Sequence, residues 1–190
     1  MHDIIDAVET GGVEDEQTRE AILEAADALV EQVRRVVKAG AGHVAVTGGY
    51  DLGTTPWAGR LGYRAEPKGS SELTELVVGL KSDFPGFNGR LLTELNEQAV
   101  NALYLDAALF FKFVYDDDKR NSYPATKVEK PACPDPELMQ GCDKSAAPTD
   151  YNTYLFADDI HFTPNIWRWF GRDDVGENAY QRVADRWGNP

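Results

Sequence analysis

The chain has 190 residues, 42% of them apolar, which sets one domain by length with enough apolar side chains for a core. A net charge of -13 argues against a nucleic-acid partner, because phosphates repel an acidic surface. No apolar run approaches membrane-spanning length, and Met1-His2-Asp3-Ile4-Ile5-Asp6 lacks the basic start and apolar stretch of a signal peptide, so the chain as given is expected in the cytoplasm.

From about Glu14 to Ala39, Ile22, Ala25, Ala26, Leu29, Val33, Val36 and Val37 recur at helical spacing and predict an amphipathic helix. Acidic residues crowd its first turn, and Arg34, Arg35 and Lys38 occupy its last, as the macrodipole favours. Gly40 offers a left-handed stop. His43 to Thr47 is short and nearly all apolar, the pattern of a parallel strand buried on both faces. Gly48 to Pro56 leaves its C-terminal end, the place where open α/β sheets bind ligands. Neither G-x-G-x-x-G nor a P-loop lysine is present, so no phosphate cradle is expected there.

Trp57 to Gly69 reads as irregular. Ser70 or Ser71 can cap a helix from about Glu72, with Leu73, Leu76, Val77 and Leu80 turned inward and Pro85-Gly86 interrupting it. A second helical pattern carries Phe87, Leu91, Leu92, Leu95 and Val100. Asn101 to Ala107 looks like another buried strand, and Ala108 to Tyr115 like a short helix. Asp116 to Asp150 is polar and Pro-rich, a long loop holding Cys133 and Cys142. These two cysteines are either a local disulfide or free thiols. The aromatic and then charged tail has a helical pattern around Asn178 to Arg186.

Between the loop and the tail lies Tyr154-Leu155-Phe156-Ala157-Asp158-Asp159-Ile160-His161-Phe162-Thr163-Pro164. A carboxylate held against one imidazole nitrogen fixes the tautomer and stabilises the cation, leaving the other nitrogen as a base. D-x-x-H does this from one short loop, with Asp158 as orienter and His161 as general base. Asp159 competes for the orienting role, although adjacent side chains usually point apart. His2, His43 and His161 are far apart in sequence and no H-x-x-x-H or C-x-x-C pair exists, so neither a metal site nor a cofactor is expected.

Taken in order, these segments resemble a known family. The amphipathic helix is followed by Gly40-Ala41-Gly42-His43-Val44-Ala45-Val46, Asp51-Leu52-Gly53-x-Thr55-Pro56, Phe87-Asn88-x-x-Leu91, Leu105-Asp106, Pro131-Ala132-Cys133…Cys142 and the Tyr154 to Pro164 block. The chain resembles the C-terminal half of the GDSL (SGNH) lipase/esterase family, in its bacterial phospholipase/lecithinase/haemolysin branch. The likeness covers about residues 1–165; residues 166–190 form a tail outside it. The resemblance implies an α/β class fold, a flavodoxin-like α/β/α sandwich with a parallel sheet whose N-terminal half is missing, forming a single partial domain over 1–190. It implies ester or lipid hydrolysis through a serine triad, with Asp158 and His161 matching the family's orienter and base, and no cofactor. It also implies a parent that is secreted or periplasmic.

The departures are specific. The family's nucleophile sits in Gly-Asp-Ser, and its oxyanion donors come from a glycine and a Gly-x-Asn-Asp block; these motifs are absent. Ser70, Ser71, Ser82, Ser122 and Ser145 stand in other contexts. Gly48-Gly49-Tyr50-Asp51 is not the Gly-x-Asn-Asp block, because Leu52-Gly53-Thr54-Thr55-Pro56 behind it belongs to the loop after the next strand. Phe162 stands where the family usually has proline. The expectation is therefore a truncated ester hydrolase that keeps Asp158 and His161, lacks its serine and is inactive alone. One alternative is a non-catalytic binding or interaction domain of the same fold, in which Gly48 to Pro56 and Asp158 to His161 line a pocket; another is an unrelated α/β protein whose D-x-x-H is coincidental or metal-binding. A sheet deprived of neighbouring strands is expected to self-associate through its exposed edge.

Overall fold

The computed structural model describes residues 1–64, 70–81, 83–115, 125–133, 147–171 and 179–188. Among them the architecture is mixed α/β: eight helices and one two-stranded parallel sheet. The first helix, α1 (His2–Gly11), was not expected from the sequence; Ile4, Ile5 and Val8 supply its buried side. The long helix α2 (Glu16–Lys38) follows the predicted pattern. Asp15 caps it, accepting from the Thr18 amide at 2.8 Å, an arrangement that stabilises a helix end by about 1 kcal/mol. Its buried stripe is Thr18, Ile22, Ala26, Val30 and Val33. Val36, expected inward, is 49% exposed, because the last turn runs past the core. Gly40 ends the helix as expected, with φ +96°, a conformation only glycine adopts without strain.

The two strands are β1 (Ala45–Thr47) and β2 (Leu103–Leu105), parallel and in register Ala45 to Leu103. Both are shorter than expected. The prediction that β1 is buried on both faces fails: Val46 is buried, whereas Ala45 and Thr47 are exposed. The backbone of Val44 and Gly48 turns toward β2, through Leu103 N–H to Val44 O at 2.8 Å and Gly48 N–H to Leu105 O at 3.0 Å. Alternation then turns the polar backbone groups of Ala45 and Thr47 to the other side.

The stretch expected to be irregular after Pro56 instead opens with α3 (Pro56–Leu61), since Thr55 caps it and Pro56 occupies its first turn. Trp57 is buried there and its indole N–H donates to Glu9 Oε1 at 2.8 Å. Ser71 caps α4 (Glu72–Val78), which buries Leu73, Leu76 and Val77. Leu80, expected inward, lies past Gly79 and is 65% exposed. Helix α5 (Phe87–Glu97) packs on α2, which also packs on α1. Arg90 of α5 grips Asp27 of α2 with two nitrogens, at 2.7 and 2.9 Å.

Aromatic residues fill the remaining side of the core. α6 (Ala107–Tyr115) presents Phe111, whose ring stacks on Phe162 with centroids 3.8 Å apart. α7 (Pro164–Phe170) adds Trp167, edge-on to both rings. α8 (Ala179–Trp187) sits close to the predicted tail helix, and Trp187 stacks on His43. One apolar cluster runs from Ile4 to Ile166. Cys133 is in a disulfide; Cys142 lies outside the described residues.

Candidate active site

The segment after the 3-10 turn Tyr151–Thr153 is tied down on two sides before it reaches Asp158. On one side it runs along residues 125–133: Leu155 N–H donates to Lys127 O, Ala132 N–H to Phe156 O and Cys133 N–H to Ala157 O, each at 2.9 Å. On the other it folds back on itself, with Ala157 N–H to His161 O at 2.7 Å and Thr163 N–H to Leu155 O at 2.9 Å. Leu155, Phe156, Ile160 and Phe162 are buried. The five residues from Ala157 to His161 are therefore a small loop closed at its base and anchored by apolar side chains.

Inside that loop Asp158 does three things. Its Oδ1 accepts from the backbone N–H of Ile160 at 2.9 Å and of His161 at 2.7 Å. Its Oδ2 lies 2.7 Å from His161 Nδ1. Asp158 is 1% exposed, whereas the His161 side chain is 43% exposed. Two backbone donors fix the carboxylate, and the carboxylate fixes the ring. With Nδ1–H donated to Asp158, the imidazole lone pair is on Nε2. Among the described residues no other side chain hydrogen-bonds His161.

Asp159 is not the orienter. Its carboxylate pairs with Arg60 of α3 at 2.6 Å, and its carbonyl accepts from Trp57 N–H at 3.0 Å. Burial pushes its carboxyl above the usual carboxylate range, and the Asp158 charge pushes it the same way, while Arg60 opposes both. Adjacent acids in the sequence thus serve different partners: one holds the histidine, the other fastens the loop to α3.

The loop after β1 reaches the same place. Tyr50, Leu52 and Thr55 are buried. Tyr50 donates its hydroxyl to Ile160 O at 2.6 Å, so it braces the Asp158 loop from below. Burial, and then the Asp158 charge, raise the Tyr50 phenol far above its ordinary value, keeping it a neutral donor. Asn88 clamps Gly49 with both amide atoms, accepting from Gly49 N–H and donating to Gly49 O, each at 2.7 Å. Gly48 has no room for a side chain, because a Cβ there would collide with the Tyr104 hydroxyl.

Of the serines, Ser71 is committed to the α4 cap through Thr74 N–H at 3.1 Å, and Ser70 flanks it. Ser82, Ser122 and Ser145 lie outside the described residues. His43 is away from the site, against Trp187. His2 is not: its ring centroid is 6.1 Å from that of His161, tilted by 43°. The sequence expectation named Asp158 and His161, which the fold brings to hydrogen-bond distance. It missed Tyr50, Arg60 and His2, whose contacts with this loop span most of the chain and leave no local pattern. Comparison with protein-family models and with curated proteins finds no match.

Proposed function

We propose that this chain carries the acid-base pair of a GDSL-type serine ester hydrolase, of the phospholipase/lecithinase/haemolysin branch, on that family's flavodoxin-like scaffold. One observation carries the reading: a buried Asp158 carboxylate, fixed by two backbone donors, holds His161 Nδ1 at 2.7 Å while the ring faces outward. In an ester hydrolase Nε2 takes the proton of a nucleophilic hydroxyl, Asp158 stabilises the imidazolium, and Nε2 returns the proton to the leaving alcohol. The substrate class is a carboxylic ester or lipid.

The nucleophile in this reading is supplied from outside these 190 residues, since no Gly-Asp-Ser motif occurs in them. Removing the serine from a serine protease costs about 10⁶ in turnover, so negligible esterase activity is expected of the chain by itself. The experiment is to translate the DNA upstream of Met1 in all frames. If Gly-Asp-Ser and Gly-x-Asn-Asp appear there, the longer product is assayed on p-nitrophenyl esters with and without His161→Ala. Loss of activity in the variant is expected. Unchanged turnover in it, or strong turnover by the 190 residues alone, would overturn the reading.

The second reading is a binding or interaction domain of the same fold. It draws on the absence, among the described residues, of any hydroxyl or thiol hydrogen-bonded to His161. Ester binding by the chain without hydrolysis would favour it. We also infer that copies of the chain associate through the outer edge of β1, where Ala45 and Thr47 are exposed. A secreted or periplasmic parent is the companion proposal, supported by the disulfide at Cys133.

A further inference from the structure

His2 and His161 are 159 positions apart in sequence, yet their rings are neighbours at 6.1 Å. His161 has one ring nitrogen committed to a buried carboxylate, and among the described residues nothing hydrogen-bonds the other. His2 is exposed, and among the described residues it makes no hydrogen bond or ion pair. A carboxylate behind one imidazole nitrogen is the usual support of a metal-bound histidine: it fixes the tautomer, aims the ring and makes the distal nitrogen a better donor. We propose that His2 and His161 form a two-imidazole site for a borderline divalent transition metal such as Zn²⁺.

The spacing suits this. A ring nitrogen lies roughly 1.1 Å from its centroid and a Zn–N bond is about 2.0–2.1 Å, so two imidazoles on one tetrahedral ion have centroids about 5 Å apart. The observed 6.1 Å is about 1 Å wider, within reach of a χ adjustment by the exposed His2. Among the described residues no group of three His, Cys, Asp or Glu is placed for a metal, so water completes the coordination and the ion is exchangeable. Imidazole favours Zn²⁺, Cu²⁺ and Ni²⁺, whereas Mg²⁺ and Ca²⁺ prefer oxygen ligands. An ion here occupies the Nε2 lone pair that a general base needs, so metal-bound and base-competent states exclude one another. The site does not depend on the ester-hydrolase reading.

The test is a ZnCl₂ titration of the purified 190-residue chain at pH 7 by isothermal titration calorimetry, with MgCl₂ as control. One Zn²⁺ site is expected, weakened at least tenfold by His2→Ala and by His161→Ala separately, with no Mg²⁺ binding. His2 is exposed, so its variant tests the site without threatening the fold. Asp158→Asn is expected to weaken Zn²⁺ binding by about 10–100-fold, the range for losing such a supporting carboxylate, with circular dichroism confirming the fold. No Zn²⁺ binding, or binding that only one histidine variant affects, would overturn the proposal.

Discussion

Tyr50 and Ile160, separated by 110 positions, meet in a hydrogen bond of 2.6 Å from the phenol to the backbone carbonyl. Through it, the loop that leaves β1 supports the loop that holds His161. Tyr50 also packs edge-on to Phe162, centroids 4.7 Å apart, so the contact is both polar and apolar. Removing only the hydroxyl isolates the polar part. Tyr50→Phe leaves a buried carbonyl unsatisfied, and a loss of about 1–3 kcal/mol in urea unfolding is expected. An unchanged midpoint would mean that the hydroxyl does not brace the loop.

Asp158→Asn replaces the acceptor facing His161 Nδ1 with a group that can also donate. The expected outcome is a tautomer change. In the native chain with a neutral imidazole, nitrogen NMR should report a protonated Nδ1 and a bare Nε2. The variant should move the proton toward Nε2. If native His161 already carries its proton on Nε2, the base assignment is wrong, whatever the distance to Asp158.

Arg60→Ala leaves the buried Asp159 carboxylate without its cation. Arg60 is nearly half exposed, so solvent screens much of the pair, and a modest cost of about 1 kcal/mol is expected in chemical denaturation. The double variant Arg60→Ala/Asp159→Asn should recover part of it, since the penalty belongs to the stranded charge. No recovery would place the effect in lost packing instead.

Asp51 gives a pH-dependent signature. Burial raises its carboxyl above the usual range, against the opposing bonds from Thr74 and Gly53. A folded pKa above the unfolded one means that the group's stabilising contribution is full below the unfolded carboxylate value of about 3.9 and is lost as pH rises through the folded value. Asp51→Asn removes that ionisation. The melting temperature of the variant relative to the native chain should therefore be more favourable at pH 7 than at pH 4. A difference independent of pH, or of opposite slope, would count against the raised value.

The outer edge of β1 predicts association. Sedimentation velocity should show a mean mass that rises with protein concentration, and Thr47→Lys should suppress the rise by placing a charge where a second strand would dock. A monomer at every concentration would remove self-association from the account.

Much of this could be read along the chain. Helical periodicity located α2 and α5, and the Ser71 and Gly40 boundaries have the residue types that end helices for reasons of local geometry. Leu80 and Val36 were misjudged because periodicity reports the face of a helix and not where its core contact stops. α3 was missed because six residues are too few for a period to show. The spacing of Asp158 and His161 was legible since one tight loop can close it, whatever the rest of the chain does.

Sequence alone determined the pieces whose partners lie within a few residues: caps, helix faces, the turn at Gly40 and the Asp158 to His161 pair. Tertiary structure decided the rest. It turned Asp159 to Arg60 and left Asp158 to the histidine, put Tyr50 beneath Ile160, and brought His2 beside His161. These contacts form only when distant segments are packed against one core, and a side chain carries no local mark of the residue that packing will set against it.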